Sequence, residues 1–161
     1  MQQRKLGPFE VSALSLGCMS LSYAYGVPPA PKHGERVLLA ALDAGITHFD
    51  TAALYGFGVN EELVGRVLKP YRSEIVLASK GGMAGVQFPD GIKRVIDGRP
   101  EAIRQNCEDS LRRLGTDVID LYWAHFDDHA TPLTETLGVF HDLITEGKVR
   151  YIGASNMSGL R

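Results

Sequence analysis

The stretch IVLAS at residues 75–79 decides the fold class, because it is apolar over almost its whole length. A short apolar run of this kind is typical of a strand buried on both faces, as in a parallel sheet covered by helices. Four further segments have the composition of strands, at residues 14–17, 46–50, 118–122 and 149–154. We therefore predict five strands, preceded by a hairpin within residues 6–11.

Segments with apolar residues at helical spacing separate most of these strands. We predict helices over residues 35–44, from Asn60 to a stop at Pro70, from Pro100 to Gly115, and from Pro132 to Gly147. In the second helix Asn60 is the expected N-cap. The carboxylates of Glu61 and Glu62, in the first turn, are expected to interact favourably with the positive end of the helix dipole. Residues 81–99 form a glycine-rich connection much longer than a usual βα loop. Strands alternating with helices imply right-handed crossovers and a parallel sheet.

A parallel sheet of this kind is either an open doubly wound sheet or a closed barrel. A dinucleotide-binding doubly wound sheet should show G-x-G-x-x-G directly after its first strand. Here Cys18-Met19-Ser20 follows that strand instead. The nearest similar segment, residues 56–61, follows the second strand and has Glu61 in place of the third glycine. The sequence therefore favours a (β/α)8 barrel.

Composition excludes several classes of protein. The chain has 161 residues, 44% of them hydrophobic, and a formal net charge of −2 with a pI near 6.2. A nucleic-acid-binding domain usually carries a basic surplus, and a membrane span needs about 20 consecutive apolar residues. Cys18 and Cys107 are isolated, as is usual for structural thiols in a reducing compartment. We predict a cytoplasmic domain that binds neither nucleic acid nor membrane.

Polar residues lie where the predicted strands end. In chain order they are Asp50, Lys80, His125, Ser155 and Asn156. The chemistry of a (β/α)8 barrel takes place at the carboxyl ends of its strands, so these side chains are expected to meet. Tyr55 lies five residues beyond Asp50, close enough to fold over the same edge.

These residue types suit proton donation to a developing oxyanion. A free tyrosine phenol has a pKa of about 10, too high for efficient acid–base work near neutrality, and a nearby ammonium favours its ionised form. We assign that role to Lys80, with Asp50 fixing the direction of the ammonium. His125 is expected to donate a hydrogen bond to the substrate oxygen. Because no serine or cysteine lies in a nucleophile elbow, the set suits carbonyl reduction with hydride from a cofactor.

Several motifs in this order resemble those of the aldo-keto reductases. The segments are FDTAALYG at residues 49–56, NEELVG at 60–65, SKG at 79–81, SLRRLG at 110–115, DLY at 120–122 and GKVRYIG at 147–153. The resemblance covers essentially the whole chain. It implies a (β/α)8 TIM barrel, NADPH as the usual hydride donor, and a small aldehyde or ketone as substrate.

The resemblance also implies roles for residues at matching positions. Tyr55 corresponds to the acid, Lys80 and Asp50 to the residues that tune it, and His125 to the residue that orients the carbonyl. The cofactor-binding residues are expected to be Gly17, Cys18, Met19, Asp50, Ser155 and Asn156. Residues 81–99 match a loop that covers the substrate. The expected pocket walls are Tyr25, Phe57, Phe88 and Trp123.

A complete barrel of this type needs about 250 residues, and five strands are predicted here rather than eight. We therefore expect residues 1–161 to be the N-terminal part of a single barrel domain. The family's grip on the adenosine phosphate comes from loops after the last strands. The isolated chain is accordingly expected to be inactive and to bind NADPH weakly.

Two alternative functions remain at this point. One is a non-enzymatic regulatory subunit of the same fold, such as the β subunits of potassium channels. The other is a metal-dependent hydrolase that uses the segment from His125 to His129, where imidazoles and carboxylates occur together. We predict no metal, with Asp127 and Asp128 solvated. Arg112 and Arg113 are expected on the solvated face of their helix. The sequence specifies neither the substrate nor the oligomeric state.

Overall fold

A five-stranded parallel sheet organises the chain in the computed structural model, which describes residues 1–159. The strands are β1 (Gln3–Leu6), β2 (Phe9–Ser12), β3 (Leu16–Gly17), β4 (His48–Asp50), β5 (Val76–Gly81), β6 (Met83–Phe88), β7 (Gly91–Ile96), β8 (Ile119–Ala124) and β9 (Val149–Ala154). The α-helices are α1 (Pro31–Asp43), α2 (Val59–Leu68), α3 (Pro100–Leu114) and α4 (Leu133–Thr145). Short 3₁₀ turns cover Met19–Leu21, Tyr55–Gly58 and Lys69–Glu74.

The strand order of this sheet is β3-β4-β5-β8-β9, so each strand is added to the same side of the one before it. Consecutive helices pack against each other, α1 on α2, α2 on α3 and α3 on α4, and together cover one face. A doubly wound sheet reverses its strand order and carries helices on both faces. The observed order is instead that of a barrel wall, and the predicted parallel sheet is confirmed.

The hydrophobic core lies between this sheet and its helices. Phe49, Leu77 and Tyr122 point from the strands toward the helices and are 0–2% exposed. Since side chains alternate along a strand, their neighbours Asp50 and Lys80 point to the opposite face, which we call the inner face. The core therefore fixes which side chains reach the inner face.

Helices α1 and α2 begin at positions that differ from the prediction, and α4 begins one residue late, at Leu133. Helix α1 begins at Pro31 rather than at residue 35, because proline suits the first helical position, where its missing N–H is not needed. Helix α2 begins at Val59, after Gly58 in a left-handed conformation with φ 101°. The prediction that Asn60 caps this helix is wrong, since Asn60 lies inside the first turn and is fully buried.

The connection at residues 81–99 folds as an antiparallel hairpin of β6 and β7. The segment Pro89-Asp90-Gly91, between two runs containing β-branched residues, is the sequence signal that predicts such a turn. Strand β5 also extends through Lys80 and Gly81, beyond the predicted end at residue 79. A Cβ at Gly81 would overlap the hydroxyl of Tyr122, so this position requires glycine.

The predicted N-terminal hairpin is confirmed as the antiparallel pair β1 and β2. Phe9 of this hairpin meets Tyr151 of β9 edge-on, with ring centroids 5.2 Å apart. The hairpin therefore contacts the last strand of the sheet. Among residues 1–159, no helix combines the length and the apolar composition needed to cross a bilayer.

Candidate active site

Asp50 and Lys80 meet on the inner face at the ends of β4 and β5. Asp50 pairs with Ala78 in the strand register, and Lys80 lies two residues further along β5 on the same face. The Lys80 ammonium forms a salt bridge with the Asp50 carboxylate and donates to the Thr51 carbonyl at 2.8 Å. Lys80 is only 8% exposed, so its ammonium is held by these two oxygens largely away from water.

Tyr55 lies beside this ion pair, on the 3₁₀ turn that follows β4. The Nζ atom of Lys80 is 5.0 Å from the centroid of its ring. Gly56 and Phe57 follow it with φ of 57° and 54°, a left-handed bend that reverses the chain before α2. Tyr55 itself is buried. The phenol therefore lies close to a buried ammonium.

His125 approaches Tyr55 from the end of β8. The two rings meet edge-on, with centroids 5.9 Å apart, and the His125 backbone N–H donates to the Gly81 carbonyl at 2.9 Å. Burial, with the Lys80 charge as a smaller cause, lowers the pKa of His125 to about 4. The imidazole is thus neutral near pH 7, and among the described residues its buried Nδ1 has no hydrogen-bond partner.

The last residue of β3 and the loop after it contain three predicted cofactor-binding residues. Gly17 pairs with Asp50 in the sheet, and a Cβ at Gly17 would meet no atom within 4 Å. Met19 packs against the apolar cluster that contains Tyr55. Cys18 is fully buried, and burial together with the Asp50 charge raises the pKa of its thiol to about 12. Cys18 contacts Asp50 through its backbone rather than through its thiol: its N–H donates to the Asp50 carbonyl at 2.8 Å.

Ser155 and Asn156 follow β9 at the same edge of the sheet. The Asn156 amide nitrogen donates to the His125 carbonyl at 3.0 Å and to the Ser155 hydroxyl at 2.8 Å. The Ser155 backbone N–H donates to the Ala124 carbonyl at 3.0 Å. The end of β9 is therefore tied to the segment that carries His125.

The four predicted pocket residues lie in different surroundings. Trp123 pairs with Lys80 in the strand register and is half-buried, and Phe57 packs against Tyr23 with ring centroids 6.1 Å apart. Phe88 lies instead on the hairpin, beneath the Lys93 ammonium. Tyr25 is 88% exposed. The structure thus brings Trp123 and Phe57 to the site but neither Phe88 nor Tyr25.

Tyr23, which no sequence motif indicated as a site residue, stacks its ring on that of Tyr55. The two planes differ by 19° and the centroids are 6.2 Å apart. Tyr23 lies in an irregular loop without periodicity, so the sequence contains no signal that would predict this contact.

A buried charge network supports β5 from the helix side. Glu61 is fully buried, accepts from the Ser79 hydroxyl at 2.5 Å, and pairs with Arg113 at 2.6 Å. The prediction that Arg113 lies on a solvated face is therefore wrong, because its guanidinium neutralises this carboxylate. The Glu61 side chain, at the start of α2, also points toward the sheet and not toward solvent.

The segment after His125 is structural and half-buried, contrary to the prediction that its carboxylates are solvated. Partial burial raises the pKa of Asp128, but hydrogen bonds from Thr131, Gly98 and Ala130 outweigh it and hold the pKa well below its usual range. The exposed His129 pairs with Asp127. Across residues 1–159, no three His, Cys, Asp or Glu side chains are grouped to hold a metal ion.

Comparison with known proteins gives a consistent match. A wall of parallel strands with reactive side chains at their carboxyl ends defines an α/β-barrel domain. Residues 13–160 match the family model described as the Aldo/keto reductase family. A protein named "Probable aldo-keto reductase 1" from Glycine max is 46% identical over 161 residues, covering 98% of this chain and 46% of that protein. The NADP(+) aldo-keto reductase yakc from Schizosaccharomyces pombe is 39% identical over 157 residues, covering 96% of this chain and 45% of that protein.

A solved structure agrees with these relatives. The aldo-keto reductase AKR11C1 from Bacillus halodurans, in its holo form, superposes with a TM-score of 0.86 at 39% identity. The match covers 98% of this chain and 51% of that protein. The chain therefore belongs to the aldo/keto reductase family, whose structures are (β/α)8 barrels. It spans about half the length of the curated relatives it matches.

Proposed function

We propose that the full-length protein reduces small aldehydes or ketones with NADPH, with Tyr55 as the proton donor. One observation carries the proposal: the centroid of the Tyr55 ring is 5.0 Å from the Lys80 ammonium nitrogen and 5.9 Å from the centroid of the His125 ring. Three separate segments, at the ends of β4, β5 and β8, meet there. Such a cluster of an acid, an ammonium and a neutral imidazole suits reduction of a carbonyl group.

The residues at the carboxyl edge suit a nicotinamide cofactor. The space above Gly17 is open, since an added Cβ would meet no atom within 4 Å, so a flat ring could approach the backbone there. Ser155 offers a hydroxyl and Asn156 an amide, which match the donor and acceptor of a carboxamide. The NADP(+) in the name of the Schizosaccharomyces pombe relative supports this choice. When bound, NADPH would supply the hydride that reduces the carbonyl carbon.

The proton balance follows from the chain's own residues. As the carbonyl carbon gains hydride, its oxygen becomes an alkoxide, and the Tyr55 hydroxyl transfers its proton to that oxygen. The phenolate left on Tyr55 is stabilised by the Lys80 ammonium, which Asp50 and the Thr51 carbonyl hold in place. The products are an alcohol and the oxidised cofactor, and the Tyr55 phenolate regains its proton from solvent.

His125 orients the carbonyl in this scheme. Its pKa of about 4 keeps the ring neutral near pH 7, so one ring nitrogen carries a hydrogen while the other does not. A neutral imidazole beside Tyr55 can donate a hydrogen bond to the substrate oxygen without competing as an acid.

The test is a steady-state assay of NADPH oxidation by the full-length protein with a panel of aldehydes and ketones. In the variant Tyr55→Phe we expect kcat to fall by about 10²–10⁴-fold, since an essential acid is lost. NADPH affinity, measured by fluorescence titration, should remain nearly unchanged. Tyr71→Phe, a change in a tyrosine on the helix side of the sheet, is the matched control and should keep wild-type activity.

Two results would contradict the proposal. The first is an NADPH-binding protein that reduces none of the carbonyl compounds, as a regulatory subunit would. The second is a Tyr55→Phe variant that retains most of its kcat, which would remove Tyr55 as the proton donor.

A further inference from the structure

We propose that Asn60 is a positioning residue for this reduction, holding both the loop after β3 and the Thr51 carbonyl that binds Lys80. The inference rests on the proposed function. Asn60 and Thr51 are each fully buried. Asn60 contacts neither Tyr55 nor Lys80 through any hydrogen bond in the structure, so its effect on them is indirect.

Three hydrogen bonds fix the Asn60 amide. Its nitrogen donates to the Cys18 carbonyl at 2.8 Å and to the Ser22 hydroxyl at 2.6 Å. Its oxygen accepts from the Thr51 hydroxyl at 2.6 Å. Both N–H groups and the oxygen are therefore used, as expected of a buried amide, because burying a polar group without a hydrogen-bond partner destabilises the folded state.

The first effect of this arrangement is on Lys80. The Thr51 side chain is held by Asn60, while its main-chain carbonyl accepts from the Lys80 ammonium at 2.8 Å. Thr51 is thus restrained at both ends. Without Asn60, nothing on α2 would restrain Thr51, whose carbonyl binds the Lys80 ammonium together with the Asp50 carboxylate.

The second effect is on the other side of Tyr55. Asn60 holds Ser22, and the next residue, Tyr23, stacks on the Tyr55 ring. Cys18, also held by Asn60, donates its N–H to the Asp50 carbonyl. A single side chain of α2 therefore restrains the segments that contact Tyr55 and Asp50.

The start of α2 is consistent with this role. An asparagine near a helix N-terminus usually caps the helix, yet the N-cap here is Gly58, which makes no side-chain hydrogen bond. The Asn60 side chain instead bonds to the loop after β3 and to Thr51, just after β4. The helix thus forgoes a side-chain cap, and the amide ties α2 to these two segments.

The test compares variants that remove single bonds in the full-length protein. Asn60→Ala removes all three, Ser22→Ala removes one at a half-buried position, and Thr51→Val removes the hydroxyl without changing the side-chain volume. Thr51→Ser restores a hydroxyl at that position and should recover activity. The neighbouring exposed Glu62 supplies a control, Glu62→Gln, which should match the wild type.

We expect kcat of Asn60→Ala to fall by about 10–100-fold, because small misplacements of reacting groups cost up to that factor. In Ser22→Ala and Thr51→Val, kcat should fall only a few-fold. The pH profile of kcat/KM should shift in the same direction as in Asn60→Ala. Partial unfolding alone would reduce the active fraction while leaving KM and the pH profile unchanged. Those two quantities therefore separate positioning from a merely structural role.

A second measurement does not depend on activity. Hydrogen exchange of residues 18–23, followed by mass spectrometry without cofactor, should accelerate in Asn60→Ala and Ser22→Ala but not in Glu62→Gln. Exchange in α4, far from the amide, serves as the internal reference. If Asn60→Ala does not fold, Ser22→Ala and Thr51→Val still decide the question.

The proposal is overturned if the folded variants keep wild-type KM, pH profile and loop exchange. An inactive wild-type protein would instead refute the proposed function. In that case faster loop exchange in the variants would still support the restraint by Asn60, so the two failures are distinguishable.

Discussion

Lys80 combines burial with charge, which makes it sensitive to substitution. Its ammonium is held by Asp50 and the Thr51 carbonyl, 5.0 Å from the centre of the Tyr55 ring. We expect Lys80→Met to lower kcat by at least about 10²-fold, because the phenolate loses its charge partner. The measurement is the pH–rate profile of the full-length protein, with the exposed Lys69→Met as control. An unshifted profile in Lys80→Met would exclude Lys80 from the mechanism.

His125 should make stability depend on pH. Its pKa is lowered from 6.5 to about 4 on folding, so between these values the unfolded chain binds a proton that the folded chain does not. Stability is therefore full above about pH 6.5 and declines as the pH falls toward 4. Burial also lowers the pKa of His48, so this residue too reduces the stability of the folded chain as the pH falls.

Urea denaturation across this pH range measures the effect. In His125→Gln the decline in the free energy of unfolding between pH 6.5 and 4 should be smaller than in the wild type, leaving the part due to His48. Identical slopes in the two proteins would show that His125 does not remain neutral in the folded state.

At the scale of elements, the contact between α2 and α3 depends on a glycine. A Cβ at Gly65 would lie 2.5 Å from the Leu114 main-chain oxygen, which cannot move aside as a flexible side chain could. We expect Gly65→Ala to destabilise the protein by about 1–3 kcal/mol, as overpacking usually does. Thermal and urea unfolding measure the change.

Gly138 in α4 provides the matched control. It is also a glycine inside a helix, but a Cβ there would meet nothing within 4 Å. Gly138→Ala should therefore stabilise by about 0.5–1 kcal/mol, because glycine loses more conformational entropy in a helix than alanine. If both variants behaved alike, close helix packing would not be the reason for Gly65.

The hairpin of β6 and β7 shows a limit of prediction at this scale. Its turn signal is present in the sequence, but glycines and exposed positions obscure the alternation of apolar residues. At its base, Gly98 donates to Asp128 and its carbonyl accepts from Thr136, contacts between distant parts of the chain. Local composition does not report such contacts.

For the whole molecule, the open sheet has consequences in solution. Among residues 1–159, β3 and β9 each pair with a single neighbour in the parallel sheet, and Tyr151 and Ile152 are 46% and 38% exposed. Unpaired strand edges and exposed apolar side chains favour association. We expect the 161-residue chain, purified alone, to self-associate.

Light scattering after size exclusion, repeated over a concentration series, measures this association. A chain that remains monomeric over the whole concentration series would contradict the prediction.

The alternation of strands and helices, and with it the parallel sheet, could be predicted from the order of residues alone, because buried strands and amphipathic helices have distinct apolar spacing. The same reasoning placed Asp50, Lys80 and His125 at or just past strand ends, which the structure brings together with Tyr55. The Tyr23 stack, the inward turn of Asn60 and the burial of Glu61 with Arg113 arise from packing between elements. These contacts join residues far apart in the chain. Periodicity reports whether a residue is buried, whereas packing between elements decides which partner it meets.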